Sequence, residues 1–237
     1  MYKGKRIIAI IPARGGSKGI KDKNIRLLAG KPLLTYSIQV ALACEYIDEV
    51  VVSTDSENIR NIALQYGASV PFLRPVELAT DEAKTIDVIL HALSELRKND
   101  EYYDYVMLLQ PTQPIREVSD LKQSIEQVID NRYDSLVSVC PVQEHPILMR
   151  TIGDDGKLHN ILSCGSTVRR QDFPKVYKVN GSIYINAIKD SFNETTSLND
   201  NQYPFVMSKE KSVDIDNIED LEQAEQYLNQ RESEHAG

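Results

Sequence analysis

The 237-residue chain has few cysteines and histidines and no long apolar run. Its three cysteines, Cys44, Cys140 and Cys164, are widely spaced and odd in number, which gives no disulfide framework and predicts reduced thiols in the cytoplasm. Its four histidines form no ligand-spaced cluster, which argues against zinc. No apolar stretch reaches the roughly 18 residues of a membrane span, and the first apolar run is too short for a signal peptide. We therefore expect a cytoplasmic protein with no membrane partner.

Positive charge is scarce: 27 lysines and arginines face 35 aspartates and glutamates, for a formal net charge of -8. This balance argues against nucleic acid as a partner. One segment reverses it, because positions 14–26 hold one acid, Asp22, and five basic residues: Arg14, Lys18, Lys21, Lys23 and Arg26. Such a local reversal favours a site for a polyanion, most simply a nucleoside triphosphate, over a merely solvated basic loop.

The phosphate-binding patterns GxxxxGK[ST] and GxGxxG are both absent, which excludes their fingerprints. What the chain has is a predicted buried strand at 7–11, followed by a loop that contains Gly15, Gly16 and Gly19. A glycine-rich loop that exposes its N–H groups among fixed positive charges is a phosphate cradle.

Strand and helix patterns alternate along the first 140 residues, which predicts an α/β fold with a mainly parallel, Rossmann-like sheet and helices on both faces. Ligands of such sheets bind beyond the carboxyl ends of the strands. The predicted strands are 7–11, 49–53, 70–73, 105–109, 136–140, 182–186 and 212–215, and the predicted helices are 33–44, 56–66, 83–96, 117–131 and 218–228.

The alternation breaks at residues 141–179, which we interpret as an insertion within a single domain that spans 1–237. This segment contains a hairpin-like turn, Gly153-Asp154-Asp155-Gly156-Lys157, and several apolar side chains that need burial. An apolar element outside the sheet predicts a dimerisation element that reaches the partner of a homodimer.

Six motifs, in this order, resemble those of the acylneuraminate cytidylyltransferases, the enzymes that make CMP-activated sialic acids. The resemblance spans nearly the whole chain, and the order of the six makes it specific. The motifs are Ala13-Arg14-Gly15-Gly16-Ser17-Lys18-Gly19 with Lys23-Asn24; Ser53-Thr54-Asp55; Arg74-Pro75-x-Glu77-Leu78-Ala79-x-Asp81; Leu109-Gln110-Pro111-Thr112; Asn180-Gly181-Ser182-Ile183-Tyr184-Ile185-Asn186; and Asp214-Ile215-Asp216.

The resemblance implies a fold of the nucleotide-diphospho-sugar transferase type and transfer of CMP from CTP to the anomeric hydroxyl of an acidic nine-carbon α-keto sugar, with release of pyrophosphate. Such chemistry needs neutralisation of charge and in-line placement of the reactants. The implied catalytic residues are Arg14, Lys18, Lys23, Asp214 and Asp216. The implied nucleotide-binding residues are Ala13, Arg14, Gly15, Ser17, Lys23, Asn24, Arg74 and Thr85. Taken alone, Arg74 would suit a surface cation before Pro75 better than a ligand-binding residue.

Asp214 and Asp216 are the candidate metal ligands. Residues i and i+2 of a strand share one face, so the predicted strand 212–215 aligns the two carboxylates for Mg²⁺, with Mn²⁺ as a possible substitute. The alternative is a helix cap, with Asp216 as the N-cap residue and Glu219 at the third helical position. The other motifs favour the metal interpretation.

The candidate sugar-binding residues are Gln110, Arg170, Tyr184, Tyr203 and Phe205. Gln110 resembles the family residue that contacts the sugar, and Arg170 would pair with the sugar carboxylate. The aromatic residues suit either a pocket wall or ordinary core packing. The segment Ile147-Leu148-Met149-Arg150 lacks a lysine that some sialic acid enzymes have, and a proline common in the family's glycine loop is missing, with Ile20-Lys21-Asp22-Lys23 in its place. The first departure leaves the exact sugar open.

Legionaminate or pseudaminate activation is the nearest alternative, because those enzymes share the Ser-Lys loop. Enzymes for the eight-carbon sugar 3-deoxy-octulosonate have Ser/Thr-Arg-Leu-Pro there instead. A nucleotide-sugar glycosyltransferase would place its Asp-x-Asp motif in mid-chain, and a non-enzymatic sensor would tolerate the loss of phosphate or metal residues, all of which are present here.

Overall fold

The computed structural model describes residues 1–17, 19–142, 144–162, 167 and 169–235. The described residues form a six-stranded sheet in the order β10-β6-β9-β5-β1-β4, in which β9 alone runs antiparallel to its neighbours. The predicted mainly parallel α/β fold is confirmed.

The strands are β1 (Ile7–Pro12), β2 (Leu27–Leu28), β3 (Lys31–Pro32), β4 (Glu49–Ser53), β5 (Tyr105–Leu108), β6 (Ser135–Pro141), β7 (Arg150–Ile152), β8 (Leu158–Asn160), β9 (Tyr177–Ala187) and β10 (Tyr203–Val206). The helices are α1 (Leu33–Leu42), α2 (Glu57–Gln65), α3 (Thr85–Arg97), α4 (Val118–Asp130) and α5 (Ile218–His235). Each predicted helix is present, because its apolar residues recur at helical spacing and have a sheet face to cover.

Two predicted strands are wrong. Residues 70–73, all described, leave the sheet after a single bridge between Val51 and Ser69, because Pro71 has no N–H to donate to a ladder. Residues 212–215 follow the 3₁₀ turn Glu210–Ser212 and form no strand. The sheet ends instead in β10, where Pro204 pairs with Val137 on an edge strand that tolerates proline.

Helices cover both faces of the sheet, as predicted. One face of β1, with Ile7, Ala9 and Ile11, packs against α1, α2 and α4. The other face, with Ile8 and Ile10, packs against α3. The buried, β-branched strands of a parallel sheet need this cover on both sides. A third, smaller apolar cluster joins α5 to residues 213–215 and thereby fixes the segment that carries the two candidate metal ligands.

The predicted insertion lies between β6 and β9. These two strands pair as far as Pro141 and Tyr177, and β7 and β8 then form a separate hairpin. Its turn is closed by hydrogen bonds from the Gly153 N–H to the Lys157 carbonyl and from the Gly156 N–H to the Gly153 carbonyl. Apolar side chains around the hairpin are exposed: Leu148, Met149, Ile152, Leu158, Ile161 and Leu162. None of the helices that the structure describes is long and apolar enough to cross a membrane.

Candidate active site

A cleft of about 490 Å³ opens at the carboxyl ends of β1 and β5. Loops gather there because parallel strands end at one edge of the sheet. The candidate site residues that line it are Arg14, Ser17, Lys23, Asn24, Arg74, Thr85, Gln110, Asp214 and Asp216. Residues from four of the six sequence motifs, the first, third, fourth and sixth, therefore meet in one place.

The loop after β1 forms one wall of the cleft. The Gly15 N–H donates to Asp55 Oδ1 at 2.9 Å, and Asn24 Nδ2 donates to the Arg14 carbonyl at 2.9 Å. The Arg14 guanidinium is ion-paired with Asp81 across the cleft. Ala13 is buried, and its N–H donates to the Ser53 carbonyl, so Ala13 and Gly15 shape the wall without lining the cleft. Lys18 lies outside the described residues.

Lys23 connects this loop to the opposite wall. Its Nζ donates to the Ile215 carbonyl at 2.9 Å and to Asp216 Oδ1 at 3.0 Å. Gly19 lies against the same segment, and a methyl group there would overlap the Asp216 carbonyl oxygen. Only glycine permits this approach of the two backbones.

Asp214 and Asp216 both line the cleft, but strand alternation is not the cause. They lie on an irregular segment that is held by isolated hydrogen bonds rather than by a ladder. One of these runs from the Ile215 N–H to the Thr112 carbonyl at 2.9 Å. The capping interpretation of Asp216 is also wrong. The residue that caps α5 is Asn217, whose Oδ1 accepts from the Asp220 N–H at 2.9 Å, while Asp220 accepts from the N–H groups of Asp216 and Asn217.

The cleft perturbs the pKa of Asp214, chiefly by desolvation. Asp214 is exposed to the open cleft. The cleft walls nevertheless partly desolvate its carboxyl group, and this desolvation raises the pKa of Asp214 above the ordinary 3.8. Hydrogen bonding from Thr112 opposes the rise, and the nearby charge of Asp216 adds to it. The described lining holds three cationic side chains, Arg14, Lys23 and Arg74, against three acids, Asp81, Asp214 and Asp216.

Arg74 is buried at the base of the cleft, with 5% of its surface exposed. Its Nε donates to Ser53 Oγ at 3.1 Å, and its Nη1 donates to the Leu78 carbonyl at 3.4 Å. Burial lowers its pKa to about 10, which leaves it charged at neutral pH. This packing differs from that of a surface cation before a proline.

A second cleft of about 530 Å³ adjoins the first, and Thr85 and Gln110 line both. Its wall includes Tyr184, whose hydroxyl donates to Asn199 Oδ1 at 3.0 Å. The rest of the wall is Leu108, the loop 194–199, and residues 84–86 at the start of α3. No motif marked this loop, so sequence reasoning missed it.

Gly181 lies against the end of the Gln110 side chain. Its φ of +77° lies in the left-handed region, which disfavours any residue with a side chain. A methyl group there would lie 2.8 Å from Gln110 Oε1 and would require the end of the glutamine to move. The glycine of the fifth motif therefore leaves room for the glutamine of the fourth.

Two predicted sugar-binding aromatics lie elsewhere. Phe205 is 8% exposed within the core under α4, and the Tyr203 ring stacks on that of Tyr133 with 3.4 Å between centroids. Neither lines either cleft, because both belong to the edge strand β10, on the far side of β6 and β9. Arg170 begins the 3₁₀ turn Arg170–Asp172, and its side chain is outside what the structure describes.

Comparisons with known proteins agree with this geometry. The model of the cytidylyltransferase family matches residues 8–233. CMP-N,N'-diacetyllegionaminic acid synthase of Legionella pneumophila is 39% identical over 213 residues, which are 89% of this chain and 91% of the relative. Pseudaminic acid cytidylyltransferase of Campylobacter jejuni is 36% identical over 216 residues, which are 91% of this chain and 93% of the relative.

A third relative, the N-acylneuraminate cytidylyltransferase of Streptococcus agalactiae, is 37% identical over 216 residues. These are 90% of this chain but 51% of the relative, so the chain spans about half its length. Among solved structures, CMP:2-keto-3-deoxy-manno-octonic acid synthetase complexed with CTP has a TM-score of 0.72 at 16% identity, over 95% of this chain and 99% of that one. At this identity the likeness concerns the fold.

In class, the protein is a nucleotidyltransferase. It belongs to the cytidylyltransferase family.

Proposed function

We propose that the protein transfers CMP from CTP to the anomeric hydroxyl of a nine-carbon α-keto acid sugar and releases pyrophosphate. The observation that carries this proposal is the pair of clefts joined at Thr85 and Gln110. The first is lined by cationic and acidic side chains. The second is lined mainly by uncharged polar and apolar side chains, together with Lys84 and Glu194. Two substrates bound side by side would meet at this junction. The names of the relatives supply the identity of the two substrates.

In this proposal the triphosphate lies along the loop after β1. The sugar hydroxyl oxygen attacks the α-phosphorus, the bond from that phosphorus to the bridging oxygen breaks, and the hydroxyl proton is lost as pyrophosphate leaves. Arg14 would exchange Asp81 for phosphate oxygens, because a guanidinium matches them in a bidentate geometry. Lys23 would add a point charge. Asn24, Arg74 and Thr85 line the same cleft and would hold the nucleoside.

Mg²⁺ is part of the proposal, and Mn²⁺ is a possible substitute. The described lining carries equal numbers of cationic and acidic side chains and so offers no net positive charge to a triphosphate. The described residues contain no group of three or more side chains suited to a metal, but Mg²⁺ is commonly held by one or two carboxylates together with substrate phosphates. Asp214 and Asp216 fit that role. When bound, the ion would neutralise charge on the phosphates and on the two acids.

Legionaminate, pseudaminate and sialic acids are the candidate sugars. The second cleft combines apolar side chains, Ile86, Leu108 and Leu198, with hydroxyl and amide groups of the loop 194–199. Such a wall suits an acylated amino sugar that has both methyl and hydroxyl groups. The Legionella relative favours the diacetylated member of the group.

We also propose a homodimer. The hairpin β7–β8 stands apart from the sheet and exposes Ile152 by 77% and Leu158 by 70%. Apolar residues exposed together mark an interface. Light scattering at micromolar concentration would show twice the chain mass, whereas Ile152→Glu would give a monomer. A monomeric unsubstituted protein would contradict this part of the proposal.

The test of the reaction is an assay with CTP, Mg²⁺ and each of four sugars: N-acetylneuraminate, N,N'-diacetyllegionaminate, pseudaminate and 3-deoxy-octulosonate. Pyrophosphate release should require one of the nine-carbon sugars. Tight binding of CTP and sugar without release would indicate a sensor. Transfer of a sugar from a CMP-sugar to an acceptor would indicate a glycosyltransferase.

A further inference from the structure

Arg116 is a buried arginine next to the junction of the two clefts, but it lines neither. It is 6% exposed. Its Nη1 donates to the Ser182 carbonyl at 2.7 Å, and its Nη2 donates to Ser37 Oγ and to the Gln110 carbonyl, each at 2.6 Å. One guanidinium therefore connects β9, α1 and the end of β5.

The partners of this cation are neutral. Among the described residues, no carboxylate hydrogen-bonds to Arg116, and Asp120 acts on it only through space. Burial lowers its pKa to about 9. Burying a charge among neutral partners costs folding free energy. Proteins in which buried ionic side chains are replaced by apolar ones are often as stable as the original or more stable. Fold stability alone therefore gives a weak reason for arginine here.

The two carbonyls that Arg116 holds belong to the residues that shape the junction. Gln110 lines both clefts. Ser182 follows Gly181, which lies against Gln110 Oε1. The planar guanidinium reaches both carbonyls at once, whereas a lysine ammonium is a single point that cannot span the same separation.

We propose that Arg116 is a positioning residue that fixes Gln110 at the junction and thereby sets the affinity for the sugar rather than for CTP. This inference rests on the proposed function. Arg116 acts through Gln110, so its effect should depend on the Gln110 side chain.

The test is a double-mutant cycle with Arg116→Lys, Gln110→Ala and the combined variant. The KM and kcat are measured with the sugar that the unsubstituted enzyme uses best, and the Kd of CTP is measured by calorimetry. Arg116→Lys should raise the sugar KM about tenfold and change the CTP Kd by less than about twofold. In the Gln110→Ala background the same substitution should change the sugar KM by less than about twofold.

If Arg116→Lys does not fold, a milder variant can be used to test the same role. Ser37→Ala removes one acceptor from Nη2 and also the 3.4 Å hydrogen bond that Ser37 Oγ donates to the Gln110 carbonyl. It should therefore raise the sugar KM in the same sense and again through Gln110. Its matched control is Ser124→Ala, since Ser124 is equally buried but donates to the Leu121 carbonyl within α4. The control should leave the sugar KM unchanged.

The positioning role would be overturned if Arg116→Lys raised the sugar KM by the same factor with and without the Gln110 side chain. It would also be overturned if Arg116→Lys raised the CTP Kd as much as the sugar KM. Either result would leave the proposed function intact. An unsubstituted enzyme that turns over none of the nine-carbon sugars would overturn the proposed function, and this inference with it.

Discussion

Gly181→Ala should weaken sugar use without weakening CTP binding. Gly181 has φ +77°, and a left-handed conformation costs a residue with a side chain roughly 1–2 kcal/mol. For a chain of this size that cost lowers Tm by about 2–8 °C. The new methyl group would lie 2.8 Å from Gln110 Oε1, so the glutamine must move. Loss of one neutral hydrogen bond, about 0.5–1.5 kcal/mol, then raises the sugar KM about twofold to twelvefold.

The matched control is Gly30→Ala. Gly30 has φ +79°, and a methyl group there meets nothing within 4 Å. It should lower Tm by a similar amount and leave the KM of the sugar unchanged. Steady-state kinetics at saturating CTP and a thermal melt suffice for both variants. If Gly181→Ala lowers Tm like the control but keeps the wild-type sugar KM, the role given to Gln110 is refuted.

Three further predictions concern the first cleft. Arg14→Ala should abolish turnover but cost at most about 1 kcal/mol of unfolding free energy, because its ion pair with Asp81 is partly exposed; near wild-type activity would contradict the phosphate assignment. Asp216→Asn should raise the Mg²⁺ concentration needed for half-maximal activity. Asn217→Ala removes the cap of α5 and should lower Tm without changing that Mg²⁺ concentration. If Asp216→Asn leaves the Mg²⁺ dependence unchanged, Asp216 has only a structural role. Asp214 has a raised pKa, so its ionisation destabilises the fold as pH rises above 3.8. Asp214→Asn should therefore abolish turnover but raise Tm at pH 7, and this gain in Tm should disappear in acid. Equal Tm values of the variant and the unsubstituted protein at pH 7 would contradict the desolvation of Asp214.

The sequence was sufficient for the central strands of the sheet and for most of the first cleft. Buried β-branched runs and helical periodicity have local physical causes, so β1, β4, β5 and the helices could be predicted. Because the carboxyl ends of parallel strands share one edge, the sequence alone predicts that the loop after β1 and Gln110 lie together.

The errors arose where proline or tertiary contacts decide the backbone. β10, which contains Pro204, was not among the predicted strands, although an edge strand tolerates proline. Residues 212–215 look like a strand in composition, but bonds from Lys23 and to Thr112 hold that segment in an irregular path. Asp214 and Asp216 therefore reach the cleft for a reason that the pattern of alternation did not contain.

The sugar-binding side was the least predictable. The loop 194–199 lines the second cleft only because β9 brings Tyr184 beside it, a contact over 15 residues that no local motif records. Arg116 was missed for a similar reason. Arg116 belongs to none of the six motifs, and only the fold shows that it is buried against three neutral oxygens.

The most direct test of the central claim is phosphorus NMR of the unsubstituted protein with CTP, Mg²⁺ and N,N'-diacetyllegionaminate or N-acetylneuraminate. The account predicts that pyrophosphate and a new CMP phosphodiester signal appear in equal amounts, and that both require the sugar. Hydrolysis of CTP without the phosphodiester, or no reaction with any nine-carbon sugar, would contradict it.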